Sequence, residues 1–177
     1  MRSEEGLEIR YINSSDNRNE LSNIYEQSWR KTYKGIIPQD YLDAIPKGHW
    51  NKNFDIPGWR TVVCVEDGEF IGTSSFSKSR FEQYSDSGEI ISIYLLPEYI
   101  KKGYGSKLLD FVLYELYQEG FKEIFLWVLE ENTNARKFYE SKGFILDKEY
   151  LNGKIGGKEL KEVRYFYQFP SEMRNND

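Results

Sequence analysis

Two stretches of this sequence hold residues whose types and spacing can do chemistry. The first runs Leu95-Leu-Pro-Glu-Tyr-Ile-Lys-Lys-Gly-Tyr-Gly-Ser106 and leads straight into a helical pattern. A helix begins with backbone N–H groups that lack intrahelical partners and with the positive end of its dipole, so a glycine-bearing loop at that point can cradle an anion. Gly103 and Gly105 put no Cβ between the backbone and a phosphate, and Lys101, Lys102 and Lys107 add positive charge nearby. A tight turn followed by solvated lysines is the plain structural reading of the same residues. Neither G-x-x-x-x-G-K-[ST] nor G-x-G-x-x-G can be written on them, which argues against a P-loop or a dinucleotide fingerprint. The second stretch places Asn132, Ala135 and Tyr139 at i, i+3 and i+7, along one face of a helix. An amide, a small residue and a phenol form that stripe, where a core would take Leu or Ile. The structural alternative makes Asn132 a helix cap and Tyr139 a half-buried packing residue.

The elements that must position these residues follow from hydrophobic period and punctuation. Leu7 to Ile12 reads as a strand. Asn13 to Asp16 offers N-cap chemistry for a helix towards Lys34, with Leu21, Ile24, Tyr25 and Trp29 near helical spacing and Gly35 as its stop. Pro38 opens a shorter helix through Leu42, which Pro46 interrupts. Arg60 to Glu66 and Glu69 to Ser77 read as two strands joined at Asp67-Gly68, a strong hairpin signal. The apolar run Glu89 to Leu96 has the look of a central strand covered on both faces. After the glycine loop, Leu108, Leu109, Val112, Leu113 and Leu116 make a helical stripe stopped by Gly120. Lys122 to Leu129 is a further strand, and Asn132 to Lys142 a helix closed by Gly143. Phe144 to Leu151 and Lys158 to Phe169 complete the chain as two strands around a turn containing Gly153, Gly156 and Gly157. The order β-α-α-β-β-β-α-β-α-β-β predicts an α/β fold. Its sheet is mixed and mostly antiparallel, about seven strands, with helices on both faces. One domain spans 1–170 and 171–177 is a tail.

Composition bounds the function. A chain of 177 residues supports one well-buried core rather than two domains. The net charge of −5 argues against nucleic acid as the main partner. The one cysteine, Cys64, excludes an intrachain disulfide, and with His49 as the one histidine there is no basis for a metal site. Cys64 reads as core and His49 as a surface or packing residue. The N-terminus lacks the apolar core of a signal peptide, and no segment approaches the ~20 apolar residues of a membrane span. No membrane partner and a cytoplasmic location are expected.

Together the two stretches resemble the GNAT superfamily of N-acetyltransferases, whose signature is [QR]-x-x-G-x-[GA] after the fourth strand followed by N-x-x-A-x-x-F-Y-x-x-x-G-F. Asn132, Ala135, Phe138, Tyr139, Gly143 and Phe144 match the second pattern throughout. Gly103 and Gly105 match the first, while Ile100 stands where the family has Gln or Arg. The resemblance is strong over Glu89 to Phe144, and Ser28 to Pro38 looks like the first helix of many bacterial members.

What the resemblance implies is an enzyme that moves an acetyl group from acetyl-CoA, as co-substrate, to a primary amine of a small molecule or peptide by direct attack in a ternary complex. It implies that the backbone of Ile93, Tyr94 and Leu95 pairs with the pantetheine arm in a splay between the fourth and fifth strands. Lys101, Lys102, Gly103, Tyr104, Gly105 and Ser106 hold the pyrophosphate, and Asn132, Ala135 and Phe138 line the other side. Tyr139 becomes the general acid, since a phenol of pKa ~10 can protonate a thiolate whose conjugate acid is near ~8.5. Glu89 becomes the base or works through a water, although a carboxylate near ~4.3 needs burial to serve. A strand-end carboxylate in solvent is the structural alternative for Glu89. Trp29 and Tyr33, with Glu89, fall where the family walls its acceptor site, and Asn152 to Lys158 forms the opposite rim. A homodimer is compatible with the resemblance. Two rivals share these residues: a non-enzymatic acyl-CoA-binding sensor of the same fold, and an interaction protein whose basic loop docks an acidic partner.

Overall fold

The computed structural model describes residues 6–171, so most of the expected tail lies outside the described residues. Seven strands form one sheet in the order β1-β2-β3-β4-β5-β7-β6. They are β1 (Leu7–Tyr11), β2 (Arg60–Glu66), β3 (Glu69–Lys78), β4 (Gly88–Leu95), β5 (Glu123–Leu129), β6 (Ile145–Ile155) and β7 (Lys158–Gln168). Every neighbouring pair is antiparallel except β4 with β5. Among the described residues four α-helices cover it: α1 (Arg18–Thr32), α2 (Gln39–Asp43), α3 (Tyr104–Gln118) and α4 (Thr133–Ser141). The expected mixed sheet with helices on both faces is the fold observed.

Strand alternation divides the core. Val62 and Cys64 of β2 point towards α3, whose Leu108, Leu109, Val112 and Leu116 are buried there with Tyr139 of α4. Val63 and Val65 point the other way, onto Leu21 and Tyr25 of α1. On that same α1 face, Leu129 of β5 and Leu160 of β7 pack with Leu42 of α2 and against Trp29 and Tyr33. Each buried aliphatic side chain contributes about 1.5–3 kcal/mol, so both faces are held by the same apolar term.

Local chemistry moved several boundaries. The cap of α1 is Asn17, which accepts from Asn19 N, because Asp16 is already engaged by Arg10 at 2.8 and 2.9 Å and by Asn13 N. Asp67 and Gly68 both have positive φ, 50° and 83°, the conformation of a two-residue hairpin. Strand β6 runs on to Ile155 and takes Gly153 into the ladder opposite Leu160, so the turn is Gly156-Gly157 alone. Among the described residues no helix is long and apolar enough to cross a membrane.

Candidate functional site

The sheet opens at its parallel pair. β4 and β5 are in register only at Gly88↔Ile124 and Glu89↔Phe125, after which they run on to Leu95 and Leu129 without pairing to each other. One contributor is a bulge: β3 pairs Ser75 with Ser92 and then Phe76 with Ile90, leaving Ile91 as the extra residue on β4. Buried hydroxyls lock it. Ser74 Oγ donates to Ser92 O at 2.7 Å, Ser75 N donates to Ser92 Oγ, and that hydroxyl shares a 2.6 Å hydrogen bond with Tyr25. The edge of β4 along Ile93, Tyr94 and Leu95 is thus free to pair with an extended amide chain.

The glycine loop stands at the end of this gap. Gly103 is the N-cap of α3 at φ 89°, with no side chain capping the helix, so the first N–H groups of α3 stay available to an anion. Lys101 is also left-handed, at φ 62°. The φ of Gly103 is one that L side chains rarely adopt, and a Cβ there would meet no protein atom within 4 Å, so among the protein's own atoms it is the backbone conformation that calls for glycine. The side chains around it divide. Lys101 is exposed; Lys102 Nζ lies 5.9 Å from the Tyr99 ring. The Tyr104 hydroxyl turns inward to donate to the buried Glu66, which leaves that residue its main chain for a ligand. Ser106 Oγ accepts from Lys142 Nζ at 2.7 Å, and Lys142 is also paired with Asp110. This lysine, absent from the sequence-based set, brings a cation from the end of α4 to the loop. Ile100, exposed, offers no polar atom there.

Across the gap, Asn132 caps α4 through Oδ1, which accepts from Ala135 N at 3.3 Å. Ala135 and Phe138 are partly buried against the α3-side core. The Tyr139 ring packs 5.7 Å from Phe144 and 6.4 Å from Tyr165 in that same core. Burial, and then the neighbouring Tyr94, push its pKa up. Tyr94 packs with the α1-side core, its ring 4.6 Å from that of Tyr25. Burial raises the Tyr33 pKa to about 12, with Tyr94 pulling it down and Tyr139 and Glu162 adding to the rise. At neutral pH these hydroxyls are therefore protonated donors.

Glu89 does not stand free. It is 1% exposed, and Arg80 holds both its oxygens: the backbone N at 3.0 Å, Nε at 3.2 and 3.3 Å, and one terminal nitrogen at 2.6 Å. The strand-end carboxylate in solvent is excluded, and so is a carboxylate with open lone pairs. Trp29 and Tyr33 stack edge to face at 5.0 Å and wall the α1 side. The β6–β7 turn closes against them, with Lys158 Nζ donating to Ile36 O at 2.7 Å. His49 lies against Trp50, and Cys64 is fully buried, its pKa raised to about 12 first of all by burial.

Residues that sequence spacing did not single out complete this face. Trp127 follows Phe125 by two positions on β5 and packs 5.4 Å from Phe81, and Trp59 lies 5.5 Å from the Arg80 guanidinium. Glu162 of β7 sits in register with Leu129. The signal available for Glu162 was strand period, since it lies two residues from Leu160 on a strand with apolar neighbours.

Comparison with known proteins agrees with this geometry. The model of the Acetyltransferase (GNAT) family matches residues 18–144. An uncharacterized N-acetyltransferase, YuaI of Bacillus subtilis, is 34% identical over 146 residues, covering 81% of this chain and 83% of that protein. The spermidine N(1)-acetyltransferase of Thermoplasma acidophilum is 25% identical over 78% of this chain and 88% of its own length. Among solved structures, the PaiA N-acetyltransferase of Thermoplasma acidophilum in complex with coenzyme A superposes with a TM-score of 0.73 at 21% identity, over 92% of this chain and 99% of that one.

Proposed function

The chain belongs to the acetyltransferase (GNAT) family and is an acetyl-CoA-dependent N-acetyltransferase; we propose that it acetylates the primary amine of a small molecule or peptide by direct attack in a ternary complex. The observation that carries this reading is the splay: β4 and β5 part after Glu89, and the uncapped N-terminus of α3 stands at the end of the gap. An extended, amide-bearing thioester with a diphosphate fits that pairing edge and that anion cradle. The spermidine-acetylating relative supports a small-molecule acceptor. A cytoplasmic setting belongs to the proposal, since the single cysteine is a buried free thiol.

In this reading the main chain of Ile93, Tyr94 and Leu95 aligns the thioester, while the first N–H groups of α3, with Lys101 and Lys102 beside them, hold the diphosphate. Asn132, Ala135 and Phe138 bound the opposite wall. Tyr139 is the acid. Burial keeps the phenol protonated at neutral pH and also makes it a weaker acid, so its proton passes to the departing sulfur as the extra proton on the new amide nitrogen restores the phenol. Trp29 and Tyr33 wall the acceptor, and the Arg80–Glu89 pair forms the floor beyond them. The acceptor arrives as an ammonium and must lose a proton before its nitrogen can attack.

The test is acetyl-CoA with a panel of amines, thiol release being followed by a chromogenic disulfide. Release that depends on the amine, with the acetylated amine found by mass spectrometry, is the expected result. Tight CoA binding with no amine-dependent release would refute the transfer.

A further inference from the structure

The α1 face of the sheet carries a carboxylate that the acetyl transfer described so far does not use. Residues 160, 162 and 164 share one face of β7, and Leu160 fixes that face as the one under Trp29 and Tyr33. Glu162 therefore points to the acceptor side, directly opposite Leu129 of β5 and Leu151 of β6. Each cation near it is engaged by another acceptor. Arg80 is committed to Glu89. Arg164 is paired with Asp147 at 2.8 Å and Glu123 at 3.4 Å, and stacks on Tyr84 at 3.9 Å. Lys158 is tied to Ile36 O and Glu131. Among the described residues no hydrogen bond or ion pair engages the Glu162 carboxylate, which leaves it without a direct partner on an aromatic-walled face.

We infer that Glu162 is the general base of the transfer: it draws in the acceptor's ammonium and takes the proton that frees the nitrogen lone pair. The inference rests on the acetyltransferase reading above. An N–H bond of the ammonium breaks as an O–H bond forms on Glu162. The nitrogen then bonds to the thioester carbon, and the C–S bond breaks as sulfur takes the Tyr139 proton. The nitrogen sheds its remaining extra proton to the Tyr139 phenolate, and Glu162 passes its own to water, so both groups are restored. Burial favours this role by raising the Glu162 pKa, with Arg80 pulling the other way. The groups facing it are Tyr33 from α1, Arg80 and Glu89 from the β3–β4 side, and Lys158 and Arg164 along β7; Leu129 and Leu151 flank it without titrating. Glu162 and Tyr139 both add to the rise in the Tyr33 pKa that burial begins.

The experiment uses the full chain with acetyl-CoA and, in turn, spermidine, 1,4-diaminobutane and a lysine-bearing peptide, reading kcat/KM against pH for the amine that reacts. Wild type should lose activity as pH falls through the Glu162 pKa, with a slope of one. Glu162→Gln should lower kcat/KM at pH 7 by about 100-fold and abolish that limb, leaving a rate that climbs with hydroxide. The KM for acetyl-CoA should stay within about twofold, which a merely structural role would not guarantee. Glu162→Asp should restore the limb with part of the rate, and it stands in should the Gln variant fold poorly. An unchanged acid limb in Glu162→Gln overturns the inference and leaves the transferase reading intact. Wild type that binds CoA but releases thiol with none of the three amines overturns both.

Discussion

Arg80 encloses the carboxylate of Glu89 from the main chain and the side chain at once, its backbone N 3.0 Å from Oε1 and its guanidinium 2.6 Å from Oε2. The loop after β3 is thereby clamped to the start of strand β4, just where the pairing with β5 ends. Glu89 is buried, but the Arg80 side chain is 44% exposed, so the pair is worth less than one wholly out of water. Arg80→Ala should lower stability by about 1–3 kcal/mol, less than the about 3–5 of a fully buried pair, because water can reach the vacated position. Urea unfolding checks this: a midpoint within error of wild type would show the clamp to be idle. Acetyl-CoA affinity should fall with it, since the clamp sits at the root of the splay.

Tyr139 offers a split between chemistry and binding. Its ring supplies packing against Phe144 and Tyr165, while its hydroxyl is the group proposed to move the proton. Tyr139→Phe keeps the ring, so the fold and the CoA-binding wall should persist. Turnover should drop about 100-fold or more, with calorimetric affinity for CoA changed less than about threefold. Equal losses in both would assign the hydroxyl to binding instead.

The two glycines of the loop separate by physical cause. Gly103 sits at φ 89°, where an added methyl group would meet only open space, whereas a Cβ on Gly105 would make ordinary contacts of 3.5 Å with Leu95 and 3.6 Å with Phe138. Gly103→Ala strains a left-handed residue by about 1–2 kcal/mol and should weaken CoA binding roughly tenfold. Gly105→Ala lies in ordinary helical backbone and should bind within about threefold of wild type. Calorimetry on the two variants side by side is the check, and a reversed order would mean that space rather than conformation rules the loop.

Sequence period was enough for α3, α4 and the β2–β3 hairpin, because each is decided by contacts within a few residues: the Leu108 to Leu116 stripe, the Asn132 cap, the Asp67-Gly68 turn. The α1 cap shifted to Asn17 because Arg10, from β1, claims Asp16, a competition that no local pattern displays. Gly153 joined β6 because β7 supplies a full ladder opposite it. The motifs likewise marked Gly103 and Gly105, whose place at the start of α3 follows from backbone and spacing, and Tyr139, whose place on α4 follows from helical period. They did not show that Arg80 occupies Glu89, since that contact depends on how the loop folds back over β4. Nor did they show Glu162. Its face is set by the insertion of β7 between β5 and β6, a pairing fixed only when the whole sheet has formed.

Glu162 should also leave a mark on stability, in the direction opposite to activity. Burial raises its pKa above that of the unfolded chain, so over the window between the two values the folded state holds the proton more tightly. Stability is therefore highest below the unfolded carboxylate pKa and declines as pH rises through the folded one. At neutral pH the ionised, half-buried carboxylate is a net cost, screened in part by water. Glu162→Gln removes that cost without changing the side chain's shape, and should raise stability at pH 7 by on the order of 0.5 kcal/mol while slowing acetyl transfer. The gain should vanish at pH 4, where Glu162 is itself protonated in the folded protein. Urea unfolding of both proteins at the two pH values decides it: a variant less stable than wild type at pH 7 would mean that Glu162 has a partner holding its charge in the fold, and would remove the reason to assign that charge to an incoming ammonium.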